Sequence, residues 1–279
     1  MERNFRQMLE AQWTRGNFVC VGLDSELAKI PKHLHSLPDI AGMLIRFNCA
    51  IVDATHDLVC AYKPNIAFYE AHGEPGWLAL AETVKHIREI APDVPVILDA
   101  KRADIGNTNA GYAKMAFDLL EADAITVHPY LGSEALKPFL DRVDKGIIVL
   151  CRTSNPGAGE FQDLLVDGVP LYREVAISVA AKWNKNNNCA LVVGATYPME
   201  LAAVRADVGD MPILIPGIGA QGGDVEATVK AGQDSRGRGM IINSSRGIIF
   251  ASGSADFAEA ARRETIKLRN LINQYRKEV

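Results

Sequence analysis

The stretch VPVILDAKRADIGNT, residues 94–108, begins with apolar and β-branched residues and ends in charged and polar ones. Apolar runs of this length are typical of parallel strands that are buried on both faces. Each run of this kind is closed by a polar or glycine-rich cluster. The eight runs are Phe18–Asp24, Leu58–Asn65, Val94–Lys101, Ala124–Pro129, Gly146–Thr153, Cys189–Thr196, Pro212–Gly219 and Gly239–Ser245.

Segments with the apolar spacing of helices lie between most of these runs, as at Trp77–Ile90, Asn109–Glu121, Leu171–Asn184 and Val225–Ala231. Eight strands that alternate with helices predict an α/β fold, a (β/α)₈ TIM barrel that forms a single domain over residues 1–279. The alternative is a doubly wound open sheet, which usually carries a G-x-G-x-x-G turn after its first strand. Here the first run continues as GLDSE, residues 22–26, so the barrel is favoured.

The composition is that of an ordinary soluble protein, because 48% of the 279 residues are hydrophobic, 23% are charged and the formal charge is −4. This mildly acidic balance favours neither nucleic acid nor an anionic membrane as a partner. The N-terminal segment MERNFRQMLEAQWTRGN lacks the apolar core of a signal peptide. No apolar stretch reaches the ~20 residues of a membrane helix. The five cysteines have no C-x-x-C spacing, which favours reduced thiols and a cytoplasmic location.

Charged side chains end the first three predicted strands, namely Asp24, Lys63, and Asp99 with Lys101. Barrel enzymes build their active sites on the rim formed by the carboxyl ends of the strands. A lone charge there can equally mark a strand that enters a solvated loop, and for Asp24 or Lys63 alone both interpretations stay open. His128 ends the fourth run without another ligand at metal-binding spacing, so we interpret it as a core or rim histidine and expect no metal site.

The third strand ends in a D-x-K-x-x-D pattern formed by Asp99, Lys101 and Asp104. Because side chains alternate across a strand, Asp99 and Lys101 should face the same way, with Cα atoms roughly 6–7 Å apart. Leu98 and Ala100 would then face the helices, and the two charges would point into the barrel mouth. Burying opposite charges is unfavourable unless they pair or bind a ligand, so a purely structural ion pair remains the alternative.

The last two predicted strands are followed by sequences suited to an anion. In PGIGAQGGD, residues 216–224, glycines let backbone N–H groups approach a ligand, and NSSRGI, residues 243–248, supplies an arginine for bidentate phosphate contact. Phosphate usually binds at this part of such barrels, and ordinary glycine turns beside a surface arginine are the alternative. After the fifth strand, TSNPGAG, residues 153–159, is either a lid over substrate or a turn.

Together these motifs resemble those of the orotidine 5′-phosphate decarboxylases. The resemblance rests on DAKRADIGNT (99–108), GLD (22–24), YKPN (62–65), the sequence 216–224 and SRG (245–247), so it covers almost the whole chain. D-x-K-x-x-D alone is shared with sugar-phosphate decarboxylases and synthases of the same superfamily. The segment RTSNPG, residues 152–157, is similar to the bacterial branch of the family that is typified by mycobacterial enzymes.

The resemblance implies a role for each matching residue. Four catalytic residues would form a network of alternating charges: Lys63, Asp99, Lys101 and Asp104. The implied substrate-binding residues are Asp24, Ile105, Thr108, Ser154, Pro216, Gln221 and Arg246. Asp104 would reach the active site across the interface of a homodimer, as would Ile105 and Thr108. Asp24 would bind the ribose hydroxyls and Ser154 the pyrimidine, while Gln221 and Arg246 would hold the phosphate.

The implied reaction converts orotidine 5′-phosphate to UMP and CO₂ without a cofactor, as the last step of de novo UMP biosynthesis. Loss of CO₂ from C6 leaves an electron pair in the ring plane, and no pyridoxal, thiamine or metal motif offers an electron sink. Fixed charge would then stabilise the pair, and Lys101 would protonate it. Some relatives are fused to a phosphoribosyltransferase, an activity expected here on another chain.

Two alternative functions remain. The first is a metal-dependent sugar-phosphate decarboxylase or synthase of the same superfamily, which would need Mg²⁺ and a carboxylate where Lys63 stands. The second is a non-catalytic nucleotide-binding barrel, whose functions would survive the substitution Lys101→Ala.

Overall fold

The computed structural model describes residues 3–37, 39–218 and 223–277. Eight of its strands form one parallel sheet, in the spatial order β2-β1-β10-β9-β8-β5-β4-β3, and β6 and β7 form a small antiparallel hairpin. The strands are β1 (Val19–Gly22), β2 (Val59–Lys63), β3 (Ile97–Arg102), β4 (Ala124–Val127), β5 (Gly146–Arg152), β6 (Leu165–Val166), β7 (Val169–Pro170), β8 (Cys189–Val193), β9 (Ile213–Pro216) and β10 (Met240–Ser244). All eight predicted strands are therefore confirmed.

The sheet closes into a barrel between β2 and β3. Parallel bridges pair Tyr62 with Val96 and Asn65 with Asp99, and the backbone N–H of Asp99 donates to the carbonyl oxygen of Pro64 at 3.0 Å. These pairings join the two ends of the eight-stranded sheet. The fold is the (β/α)₈ barrel that the sequence predicts, and the open doubly wound sheet is excluded.

Helices surround the barrel. They are α1 (Phe5–Thr14), α2 (Ile40–Thr55), α3 (Ala67–Glu70), α4 (Gly73–Ile90), α5 (Gly106–Lys114), α6 (Gly132–Ala135), α7 (Lys137–Leu140), α8 (Gly159–Gln162), α9 (Leu171–Ser178), α10 (Pro198–Val208), α11 (Val225–Gly232), α12 (Arg246–Ile249) and α13 (Phe257–Tyr275). The π-helical segments Met115–Leu119 and Val179–Trp183 extend α5 and α9. Short 3₁₀ turns occupy Leu27–Lys29, Lys32–Ser36 and Pro156–Ala158. In the described ranges, no helix is long and apolar enough to span a bilayer.

Helix α2 illustrates how the sequence specifies these layers. The side chain of Asp39 caps the helix by accepting a hydrogen bond from the backbone N–H of Gly42. Leu44, Phe47 and Ile51 follow at helical spacing and are fully buried. The ring of Phe47 also stacks on Phe250 and Phe257 of the C-terminal segment, with centroids 5.6 and 5.3 Å apart. One apolar face thus attaches the helix both to the barrel and to the end of the chain.

The segment from 159 to 170, between the fifth and sixth predicted strands, forms α8 and the β6–β7 hairpin. Leu165 of this hairpin is 67% exposed, so the hairpin lies on the surface rather than in the barrel wall. All five cysteines lie in the described part of the chain and are free thiols, as predicted.

Candidate active site

Two adjoining cavities open at the carboxyl ends of the barrel strands, with volumes of about 330 and 440 Å³. We call the first the phosphate-side cavity, because Arg246, the predicted phosphate ligand, lines it. The second is the base-side cavity, because Ser154, which is predicted to contact the pyrimidine, lines it. Lys63, Asp99 and Pro216 line both. Seven of the eleven predicted site residues are brought together here: Asp24, Lys63, Asp99, Lys101, Ser154, Pro216 and Arg246.

Three charged side chains form a continuous network between the cavities. Lys63 Nζ donates to Asp99 Oδ2 at 2.9 Å, and Lys101 Nζ donates to Asp99 Oδ1 at 2.6 Å. Asp24 Oδ1 lies 3.9 Å from Lys63 Nζ. The side chain of Lys63 is 4% exposed and that of Lys101 is 49% exposed. The network therefore leads from a buried ammonium to one that a ligand can reach.

The opposite charges keep one another ionised. Burial by itself lowers the pKa of Lys63, but the carboxylates of Asp99 and Asp24 outweigh it and raise the pKa above its ordinary value. Burial by itself raises the pKa of Asp99, but the ammonium groups of Lys63 and Lys101 hold the pKa well below its usual range. Both groups are therefore charged at neutral pH.

Asp99 and Lys101 face one cavity, as predicted, but a regular strand does not bring this about. The pairing of β3 with β4 changes register between Leu98 and Arg102. Lys101 has a φ of 47°, in the left-handed region that non-glycine residues rarely adopt. The expected simple alternation is therefore wrong at Lys101, where β3 is irregular and the left-handed backbone sets the direction of the side chain.

The phosphate-side cavity is bounded by the turn from β10 into α12. Arg246 is exposed at this turn, and its guanidinium makes no hydrogen bond or ion pair with the residues that the structure describes. A Cβ atom at Gly22 would lie 1.8 Å from Ser245 Oγ, so only glycine lets β1 approach the turn this closely. Gln221, the other predicted phosphate ligand, lies outside the described residues, as does Gly219.

Comparison with known proteins agrees with this geometry. The model of the orotidine 5′-phosphate decarboxylase / HUMPS family matches residues 17–263. The chain belongs to this family. Among members named orotidine 5′-phosphate decarboxylase, the one from Cellvibrio japonicus (strain Ueda107) is 51% identical over 271 residues, which are 97% of this chain and 98% of the relative.

Solved structures of decarboxylase-family proteins superpose on the whole barrel. The structure of Leishmania donovani OMP decarboxylase has a TM-score of 0.83 and 38% identity, and the match covers 97% of this chain and 99% of that one. Leishmania donovani UMP synthase has a TM-score of 0.85 and 40% identity, with 97% of this chain covered. The match spans 57% of the synthase, so this chain is similar to one part of a longer protein.

The loop after β5 forms one wall of the base-side cavity. Ser154 Cβ lies 2.8 Å from where a Cβ at Gly194 would stand, so this glycine makes room for it. The backbone N–H of Thr153 donates to Gln162 Oε1 at 2.9 Å, and Gln162 Nε2 donates to Thr153 Oγ1 at 2.8 Å. The buried guanidinium of Arg152 also donates to Gln162 Oε1, at 3.2 Å. Helix α8 thus holds the loop through one glutamine.

Three predicted site residues do not line either cavity: Asp104, Ile105 and Thr108. Asp104 Oδ1 accepts a hydrogen bond from the backbone N–H of Ile105 at 2.7 Å, and Asp104 forms no ion pair within the described ranges. Ile105 is 60% exposed at the start of α5. Within one chain, the charge network therefore contains three of the four predicted catalytic residues, together with Asp24.

Sequence reasoning assigned no separate role to two polar residues of the cavities, Asn243 and Thr126. Asn243 is 6% exposed, and its Oδ1, like Asp24 Oδ1, is buried without a hydrogen-bond donor among the described residues. Buried acceptors rarely lack donors, so these two oxygens suit a ligand that carries hydroxyl groups. A polar residue at a strand end could have indicated Asn243, whereas a threonine within a strand is too common to indicate Thr126. In the described part of the chain, no group of three His, Cys, Asp or Glu side chains could hold a metal ion.

Proposed function

We propose that this chain decarboxylates orotidine 5′-monophosphate to UMP and CO₂ without a cofactor, as the last step of UMP biosynthesis. The observation that carries the proposal is the Lys63–Asp99–Lys101 network, which lies between a base-side cavity and the exposed Arg246. The relative from Cellvibrio japonicus, which is 51% identical over 97% of this chain, is named orotidine 5′-phosphate decarboxylase. The sugar-phosphate alternative is disfavoured because it is expected to have a carboxylate at position 63. This chain has a lysine there, and the lysine is ion-paired with Asp99.

In this proposal the substrate spans both cavities. Arg246 and Gln221 bind the phosphate, since a guanidinium offers two parallel donors to its oxygens. The ribose hydroxyls donate to Asp24 Oδ1, which lacks a donor among the described residues. The pyrimidine then lies in the base-side cavity against Ser154 and Pro216. Binding energy from the remote phosphate would orient the base over the charge network.

The proposed chemistry is a single bond cleavage followed by a proton transfer. The bond from C6 to the carboxylate breaks, CO₂ leaves, and the electron pair stays in the ring plane at C6. The ammonium of Lys101 stabilises this pair by fixed charge and then gives one proton to C6, after which water reprotonates the amine. Asp99, held ionised by Lys63, lies beside the departing carboxylate and disfavours the carboxylated ring electrostatically.

We further propose that the active site is completed by a second copy of the chain. Asp104, Ile105 and Thr108 line neither cavity of their own chain. Asn109 Nδ2 links this segment to α6 by donating to the carbonyl oxygens of Asp104 and Ala135. The β4–α6 loop, which precedes α6, carries exposed apolar side chains. Tyr130 is 91% exposed there and Leu131 is 44% exposed. Exposed apolar surface of this kind suits a symmetric contact, across which Asp104 would join the partner's network.

The test is a turnover assay on purified protein in excess EDTA, which follows the pyrimidine absorbance of orotidine 5′-monophosphate. The wild type should consume substrate, and Lys101→Ala should lower kcat at least ~10³-fold, because it removes both the cation and the proton donor. Lys114→Ala is the matched control, since this lysine lies on α5 outside both cavities. Absence of turnover by the wild type, or turnover only with added Mg²⁺, would refute the proposal.

A further inference from the structure

A single hydroxyl group organises the part of β3 that carries the charges. Thr126, on β4, is 1% exposed. Its Oγ1 accepts hydrogen bonds from the backbone N–H groups of Ala100 and Lys101, at 3.0 and 2.9 Å. The same hydroxyl donates its proton to Asp99 Oδ1 at 2.9 Å. One side-chain oxygen therefore contacts three consecutive residues of the neighbouring strand.

This contact coincides with the irregularity of β3 at Lys101. In a regular strand, consecutive backbone N–H groups point to opposite sides, so two of them cannot reach one atom. Here they converge on Thr126 Oγ1 because the backbone of Lys101 is left-handed, with a φ of 47°. A conformation that is unfavourable for lysine persists only when its surroundings hold it in place. The two hydrogen bonds supply that restraint where the register of β3 and β4 shifts.

The hydroxyl also fixes the orientation of the central carboxylate. Asp99 Oδ2 accepts from Lys63, while Asp99 Oδ1 accepts from both Lys101 and Thr126. The donor from Thr126 is neutral and sits on a strand, whereas the lysine side chains are long and flexible. It therefore restrains the carboxylate plane even while Lys101 is engaged with a substrate.

We infer that Thr126 is a positioning residue of the active site, which aims Lys101 and orients Asp99 through one hydroxyl group. The inference rests on the proposed decarboxylase function and extends it to a residue without a charge. Valine has the same shape but neither donates nor accepts hydrogen bonds, so Thr126→Val isolates the hydroxyl. Serine retains it.

The test compares Thr126→Val and Thr126→Ser with the wild type in the turnover assay with EDTA. We expect Thr126→Val to lower kcat by about 30–300-fold and to leave KM within about threefold, because the proposed phosphate and ribose contacts are untouched. Thr126→Ser should restore kcat to within about fivefold of the wild type. Thr265→Val is the matched control, since Thr265 is also fully buried and its hydroxyl donates to a backbone carbonyl of α13. It should lower the thermal midpoint without changing kcat.

A kcat of folded Thr126→Val within threefold of the wild type would overturn the inference, as would a serine variant no better than valine. If the valine variant does not fold, Thr126→Ala and Thr126→Ser replace the pair, and serine must exceed alanine in kcat by at least tenfold. A crystal structure of the variant gives a readout that is independent of turnover. Lys101 should leave the left-handed region, and its retention there would refute the positioning role even if the wild type proved inactive and the proposed function had failed.

Discussion

Two buried cations stand at opposite ends of the barrel, and their partners differ in kind. Lys63, at the carboxyl end of β2, pairs with Asp99 and lines both cavities. Arg205, on α10, is 8% exposed beside the amino ends of β9 and β10. Its guanidinium donates at 2.7–2.8 Å to four backbone carbonyl oxygens, those of Gly209, Met211, Gly232 and Gly239.

The difference in partners distinguishes a cation that stabilises the fold from one that is available for a reaction. Burial lowers the pKa of Arg205 to about 10, so the group remains a cation at neutral pH, and all of its hydrogen bonds go to carbonyls that end helices or begin strands. Lys63 instead donates to the carboxylate of Asp99 and lines a cavity in which two acceptor oxygens lack donors among the described residues. A cation whose hydrogen bonds go to backbone carbonyls holds elements together, whereas one that faces an open cavity beside a carboxylate is available for a reaction.

The largest effect should come from removing the cation at the carboxyl end. We expect Lys63→Met to lower kcat at least ~10³-fold, because Asp99, the central carboxylate of the charge network, loses its buried ion-pair partner. The free energy of unfolding should fall by less than about 2 kcal/mol, because Lys101 and Thr126 still donate to Asp99 and methionine fills the volume without the desolvation penalty of an ammonium. Turnover and urea unfolding of the same preparation measure the two quantities. If the variant were strongly destabilised but its folded fraction kept full turnover, Lys63 would have a structural role and no catalytic one.

The second prediction concerns whether the charge network of Lys63 needs a residue from a second copy of the chain. The hydrogen bonds of Arg205 need none. Asp104→Ala and Lys101→Ala should each be inactive when assayed alone. If Asp104 acts across a two-fold interface, mixing the two variants at equal amounts should restore about a quarter of wild-type activity, because half of the dimers then contain one intact site of two. The control is each variant mixed with itself. No recovery after subunit exchange would place Asp104 outside the partner's active site.

The barrel and its rim could be predicted because their causes are local. Parallel strands buried on both faces leave continuous apolar runs, and each run ends where the chain reaches the polar rim. Asp24, Lys63 and Asp99 therefore lie where their positions at run ends indicated. Arg246 follows from the same reasoning, since it comes directly after the last strand.

The remaining features depend on contacts between distant parts of the chain. The irregular backbone at Lys101 accompanies a register shift of β3 against β4, which the sequence of β3 alone does not contain. Thr126 matters because its hydroxyl contacts that backbone, and a threonine within a strand is otherwise ordinary. Arg205 has the spacing of any arginine on a helix, and only the assembled barrel brings four carbonyls to it. Such residues are specified by tertiary packing rather than by a motif.

Arg205 supplies the converse of the first prediction. Arg205→Met should lower the free energy of unfolding by about 3–5 kcal/mol, because four buried carbonyl oxygens lose their donor. The kcat/KM of the folded variant should stay within about twofold of the wild-type value, because Arg205 lies at the amino ends of the strands and the cavities lie at the carboxyl ends. Arg238→Met is the matched control: Arg238 is 32% exposed near the same end of the barrel and pairs with Glu10, so its loss should cost less than about 1 kcal/mol. Equal destabilisation by both variants would contradict the claim that the backbone contacts of Arg205 stabilise the fold more than an exposed ion pair does.

The smallest effect concerns pH and distinguishes the two cations, because Lys63 donates a hydrogen bond to a carboxylate whereas the hydrogen bonds of Arg205 go to backbone carbonyls. Because the pKa of Asp99 is lower in the folded protein than in the unfolded chain, its ionisation stabilises the fold above the unfolded pKa, and this stabilisation is lost as the pH falls through the folded pKa. From about pH 5 to about pH 3, the wild type should therefore lose roughly 1–2 kcal/mol more of its free energy of unfolding than Asp99→Asn. Arg205→Met should follow the wild-type slope, because arginine does not titrate there. Urea unfolding at each pH measures the slopes, and equal slopes for the wild type and Asp99→Asn would show that the buried network does not hold its carboxylate ionised.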